Sequence, residues 1–139
     1  MTDSHERYRH YLETLTPAGL ERLGDYVSED VRFRDPFNDV TGEKAMRRIF
    51  QHMFETVGPV TFRVSRMATD GDHCLMSWRF EAMLRGKPWA FDGMSDVRFG
   101  VDGRVVEHID HWDAASDLYE MLPLIGPPLK WLRGRLAVR

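Results

Sequence analysis

The chain has one cysteine, Cys74, so it cannot form an internal disulfide, and no Cys/His spacing suggests a zinc site. No stretch approaches the roughly 18 apolar residues of a membrane-spanning helix. Positive charge is not in excess: 19 Lys and Arg against 22 Asp and Glu give −3, leaving no broad basic field for nucleic acid. Repeats and low-complexity stretches are missing too. The first residues, Met1 to Arg7, are polar and lack a signal-peptide core, so a cytoplasmic location is expected. What is present is the composition of an ordinary globular protein, and 139 residues suffice for one domain with a sizeable core.

The stretch Val31 to Asp39 organises the rest. It reads as a short alternating strand stopped at Asp35, because Pro36 cannot donate to a ladder and biases the residue before it towards extended backbone. Asn38-Asp39 reads as a turn. A carboxylate beside an apolar pocket can be tuned for proton transfer. The same carboxylate can equally cap the turn or pair with Arg32 or Arg34.

The remaining chain divides by periodicity. Asp3 and Glu6 have capping-box spacing, which predicts a helix from Ser4 to about Thr14. Thr16-Pro17 restarts a helix whose apolar stripe is Leu20, Leu23, Tyr26 and Val27, and Ser28-Glu29-Asp30 is the expected turn. After Thr41-Gly42, the residues Met46, Ile49, Phe50, Met53, Phe54 and Val57 follow helical spacing until Gly58-Pro59. From Val60 the period becomes two. Strands are expected at about Val60–Ala68, Cys74–Leu84, Pro88–Phe99 and Arg104–Asp113, joined by short turns as an antiparallel meander. The expected fold is α+β, with helices across one face of a curved sheet.

The last strand places Val106, His108, Asp110 and Trp112 on one face, and Val105, Glu107, Ile109, His111 and Asp113 on the other. Either face brings a histidine and acids inside, so a polar cluster there must be hydrogen-bonded or functional. A short helix follows from Ser116 to Leu122. The tail from Leu124 to Arg139 mixes Leu129, Trp131, Leu132 and Leu136 with Lys130, Arg133, Arg135 and Arg139. Such a tail can lie on a membrane. Docking on its own domain or on a partner subunit is the expectation, and membrane contact is not.

The order helix–helix–strand–helix–four strands, with Asp35-Pro36-Phe37 after the first strand, resembles the NTF2-like superfamily over about Tyr8 to Asp113. That superfamily includes ketosteroid isomerases, SnoaL-type polyketide cyclases and limonene-epoxide hydrolases. The resemblance implies an NTF2-like cone over residues 1–139, in which a curved, mixed but mainly antiparallel sheet wraps the helices around a central apolar pocket. Residues 114–139 are then a helical extension. At motif level the chain is similar to ketosteroid isomerase. That likeness implies Asp35 as general base and Tyr11 as oxyanion donor, and aligns Ala90-Phe91-Asp92, Arg98-Phe99 and Trp112. The isomerase's second, protonated acid falls on Ser95, and its supporting tyrosine on Phe50. His108 and Asp110 are additions, and Asp110 is placed like the acid/base aspartate of SnoaL-type cyclases.

The chemistry so implied is enolate chemistry at a small, apolar carbonyl substrate, with no metal or organic cofactor. Asp35, Tyr11, Asp110 and His108 are the catalytic candidates. Met53, Trp78, Phe80, Phe91, Ser95 and Trp112 are the ligand-binding candidates. A binding or assembly module without turnover is the alternative. A metal site at His108-x-Asp110 would lack the three protein ligands a catalytic centre normally uses. An epoxide-hydrolase set would need Arg79 or Arg98 inside, and both alternate outward. Family likeness implies a homodimer through the outer sheet face, where Met94 and Ile109 lie.

Overall fold

A computed structural model describes residues 2–118 and 126–137. Helix α1 (Thr2–Glu13) begins two residues before the predicted start. It buries Tyr8, Tyr11 and Leu12. The second predicted helix forms as a 3-10 turn (Ala18–Arg22) and a single α turn, α2 (Leu23–Tyr26). Thr16 accepts from the Gly19 N–H at 3.0 Å through its hydroxyl, as a capping residue does. The chain then enters β1 (Val27–Arg34) directly, so the turn expected at Ser28-Glu29-Asp30 is strand. Val27 and Val31 are fully buried, and β-branched residues favour extended backbone over another helical turn.

β2 (Asp39–Thr41) occupies part of the predicted turn and pairs antiparallel with β1. Gly42, at φ 113°, turns the chain into α3 (Glu43–Thr56), a conformation strained for a residue with a Cβ. α3 packs on β1 with Met46 and Phe50 buried. Each contributes roughly 1.5–3 kcal/mol by leaving water.

The four predicted strands form as β3 (Thr61–Asp70), β4 (His73–Leu84), β5 (Lys87–Phe99) and β6 (Val105–His111). With β1 and β2 they build an unclosed six-stranded sheet in the order β2-β1-β6-β5-β4-β3. Every pairing is antiparallel except β1 with β6, so the sheet is mixed. The inner face carries Cys74, Met76, Trp78, Phe80 and Ala82 from β4, and Trp89, Phe91, Ser95, Val97 and Phe99 from β5. Trp78 lies directly opposite Gly93, where an added Cβ would collide with the indole. The missing side chain at Gly93 is the space the ring occupies.

The predicted faces of the last strand need one correction. Phe99 pairs with Val105, but Arg98 pairs with Glu107, leaving Val106 as an extra residue. This bulge lets Val105 and His108 both point inward, although they are an odd number of positions apart. From His108 onward the predicted alternation holds. After β6, Asp113 caps α4 (Ala114–Asp117) by accepting from the Ser116 N–H at 3.0 Å. Of the helix predicted over Ser116–Leu122, Ser116 and Asp117 are helical, Leu118 is the C-cap of α4, and residues 119–122 lie outside the described residues. α5 (Gly126–Leu136) closes the described chain.

Candidate active site in the sheet concavity

The inner sheet face, α1 and α3 enclose a cavity of about 340 Å³. That is within the size range of small-molecule pockets. Its wall is mostly aromatic and aliphatic, with Trp78, Phe80, Phe91, Trp112 and Met53 among its residues. Phe91 stacks on Trp112 at 4.3 Å between ring centroids and on Phe80 at 4.9 Å. These stacked rings give the wall a flat, apolar side.

Polar groups enter the cavity wall at few points. Asp35 and Asp110 both line it, so the two candidate bases share one cavity. They differ in how their oxygens are used. Asp35 Oδ1 accepts from the Phe37 N–H at 2.9 Å, the Asn38 N–H at 2.8 Å and the Asn38 side-chain amide at 3.1 Å. Its Oδ2 accepts a longer bond from the same amide, at 3.3 Å. Asp35 is therefore the anchor of an Asx turn, locked by the Asp35 N–H donating to the Asn38 carbonyl at 2.9 Å. Arg32 pairs with Asp39 and Glu107 rather than with Asp35.

Asp110 is held through one oxygen only. Its Oδ1 accepts from the Ser95 hydroxyl at 2.5 Å and from His108 Nε2–H at 2.7 Å. Among the described residues Oδ2 takes no hydrogen bond. The chain of bonds extends on both sides. Trp78 Nε1–H donates to Ser95 at 2.8 Å, and the Tyr8 hydroxyl meets His108 Nδ1 at 2.7 Å. Burial, then the Asp110 charge, raise the Tyr8 pKa well above its ordinary value, so its hydroxyl keeps its proton. His108, only 3% exposed, is thereby held between a phenol at Nδ1 and a carboxylate at Nε2.

Two roles expected from the sequence change here. Tyr11, the expected oxyanion donor, gives its hydroxyl to the Gly19 carbonyl at 2.9 Å and stacks on Tyr26 at 3.9 Å. It does not line the cavity. Burial raises its pKa to about 12. Ser95 is likewise behind the wall, as a relay between Trp78 and Asp110 rather than a ligand contact. The residue missed was Tyr8. It shares the apolar stripe of α1, so only the partner opposite it, His108, distinguishes it from a core tyrosine.

Among the described residues, no Lys or Arg lines the cavity. Arg79 pairs with Glu81 and Asp92 on the outer face, and Arg98 approaches Glu107 there. No three His, Cys, Asp or Glu side chains of the described residues converge as metal ligands.

Comparison with known proteins follows the same lines. An NTF2-like protein of unknown function from Burkholderia pseudomallei superposes with a TM-score of 0.75 at 19% identity, covering 90% of this chain and 98% of that one. A protein of ketosteroid isomerase-like fold from Catenulispora acidiphila, solved with trimethylamine, gives 0.70 at 15% identity, over 83% and 88%. An LEH-like epoxide hydrolase of M. tuberculosis gives 0.68 at 17% identity, over 99% and 94%. At these identities the likeness establishes the NTF2-like fold alone. No curated protein matches the chain. The family model of the SnoaL-like domain matches residues 8–108, which run from the Tyr8 hydroxyl to the His108 ring it binds, and the chain belongs to the SnoaL-like domain family.

Proposed function

We propose that this protein performs cofactor-independent proton transfer next to a carbonyl on a flat, apolar substrate, with Asp110 as the base. The observation that carries the reading is the unengaged Oδ2 of Asp110 on the wall of an aromatic cavity. Oδ2 removes a proton from the carbon beside the carbonyl. Oδ1 stays fixed by His108 and Ser95, so the carboxylate needs no reorientation during transfer. His108, held by Tyr8, positions Asp110 and supports its charge. Asp110, protonated at Oδ2 by that step, then gives the same proton back to another carbon of the conjugated enolate and is restored as the carboxylate, while Asp35 lines another part of the same wall.

Because Tyr11 is bonded to Gly19, the isomerase's tyrosine-and-acid oxyanion pair does not assemble. Stabilisation of the enolate then falls to the substrate. The reading favours compounds whose negative charge spreads over a conjugated or aromatic frame, as in cyclisation or double-bond migration.

The test is the shift of a β,γ-unsaturated steroid ketone to its conjugated isomer, followed by enone absorbance, in wild type, Asp110→Asn and Asp35→Asn. Asp110→Asn should lower the rate by about 10²–10⁴-fold, the usual worth of a positioned base. Asp35→Asn, which keeps the turn, should retain the larger part. Full turnover by Asp110→Asn would remove Asp110 as base.

A second reading, a ligand-binding module without turnover, is favoured by the structural use of both Tyr11 and Asp35. The trimethylamine complex of the Catenulispora protein is an example of a small molecule held by this fold. In that case Asp110→Asn changes the affinity of a copurifying ligand, read by native mass spectrometry, and no rate exists to lose. A homodimer through the outer sheet face, where Met94 is 50% exposed, belongs to either reading and is measured by light scattering.

A further inference from the structure

α5 differs from the rest of the chain in charge. Acids outnumber bases overall, yet Gly126–Leu136 carries Lys130, Arg133 and Arg135 and no acidic residue. Leu129, Leu132 and Leu136 recur at helical spacing as one stripe, with Trp131 beside it. The sequence predicts a tail that docks on its own domain or on a partner subunit, and within the single chain the first of these does not cover it. Instead, Trp131 is 66% exposed, Leu132 49% and Leu136 76%. The main contacts of α5 among the described residues are with α4. Large apolar side chains grouped in water mark an interaction surface.

The position of this surface adds to its meaning. α5 packs on α4, whose capping residue Asp113 follows the cavity residue Trp112. α4 is tied to the cavity wall, because Trp89 Nε1–H donates to the Asp117 carbonyl at 2.5 Å. Leu118, one residue on, lines the cavity itself. The helix is therefore mounted on the rim of the cavity.

We propose that α5 is an interfacial helix that docks this protein on an anionic phospholipid surface and sets the cavity rim against the bilayer. All its charge is positive, which complements the negative surface of such a leaflet. Leucines enter the acyl boundary without needing a shaped groove, and an indole suits the headgroup level. The stems of Lys130 and Arg135 bury beside the leucines while their charges reach phosphate. The guanidinium of Arg135 already lies over the Trp131 ring at 5.5 Å. An apolar substrate leaving the bilayer would then enter the cavity with little exposure to water. This inference holds whichever chemistry the cavity performs.

The test is co-sedimentation of the full chain with phosphatidylcholine vesicles, with and without about a third phosphatidylglycerol. The expected result is binding at least about tenfold tighter to the anionic vesicles, weakening with salt. Lys130→Glu with Arg135→Glu should abolish that preference. Trp131→Ala with Leu136→Ala should abolish binding while leaving the thermal midpoint in place. Brominated lipid should quench wild-type fluorescence, and Trp131→Phe should lose that quenching. The proposal is overturned by absence of binding to anionic vesicles, or by unchanged binding in both double variants. It is overturned equally if light scattering shows a multimer that Trp131→Ala with Leu136→Ala converts to monomer without any vesicle binding, since the stripe then meets a second copy.

Discussion

Tyr8 and Tyr11 sit one turn apart on α1, and their hydroxyls have different fates. Tyr11 closes a local structure at Gly19, whereas Tyr8 reaches 100 positions along the chain to His108. Tyr8→Phe should leave His108 Nδ1 buried without a partner, lowering the unfolding free energy by about 1–3 kcal/mol in urea titration. The sequence marks both tyrosines as apolar-face residues of a helix and cannot say which one has a polar partner, because that depends on the docking of β6. It does show His108, Asp110, Trp78, Phe80 and Phe91, which fall on strand faces read by alternation, and it shows Asp35 through Pro36, which stops the strand beside it. Gly93 shows the same limit. A glycine within a strand is visible, but its reason is the Trp78 indole on the neighbouring strand. Gly93→Ala should displace that ring and break its bond to Ser95, at a cost of about 1–3 kcal/mol seen in thermal melts.

At the scale of elements, the turn after β1 and the start of α1 each make a prediction. Asp35→Asn keeps an acceptor for the Phe37 and Asn38 N–H groups, while Asp35→Ala removes it and should lower stability by about 1 kcal/mol more than Asn in denaturant titration. Near the start of α1, His5 is buried against Phe99 at 4.5 Å between ring centroids, and its Nε2 has no partner among the described residues. Burial, then the nearby N-terminal charge, lower its pKa. The unfolded chain therefore binds this proton more readily, and stability falls as pH drops below about 6.5 towards the lowered value. His73 works in the opposite sense. Its hydrogen bond to Asp96 raises its pKa, so its contribution is complete below about 6.5 and disappears as pH rises through the raised value. The lowered carboxylates Asp39, Asp102 and Asp113 act only below about pH 4. Thermal midpoints between pH 6.5 and 5 should thus decline in wild type and decline less in His5→Gln. Helix and strand identities were legible because periodicity reports burial. The direct passage from α2 into β1 was not, since Ser28-Glu29-Asp30 has the composition of a turn and its strand pairing depends on distant β6.

Considered as a whole, the molecule is a sheet that shapes a cavity and a peripheral helix that contributes little to it. Removing residues 126–139 should change the unfolding free energy by less than about 1 kcal/mol, as expected for elements far from the core. The sheet could be anticipated because four long strands with short turns allow few arrangements. Its parallel β1–β6 contact was legible from the family resemblance and not from periodicity, because that pairing joins distant segments with an irregular register between Val27 and Arg32. The extra residue at Val106 has a consequence for how such a chain tolerates changes in length. Upstream of it, β6 already carries one residue more than its partner, so loss of Val106 would leave a regular strand with His108 and Asp110 still facing the cavity. Between His108 and Asp110 there is no such slack. An insertion there would carry one of the pair to the opposite face and separate the histidine from its carboxylate. Two length changes a few positions apart would thus have opposite outcomes. Descendants of this chain can drift in length before Glu107 while the spacing from His108 to Asp110 stays fixed.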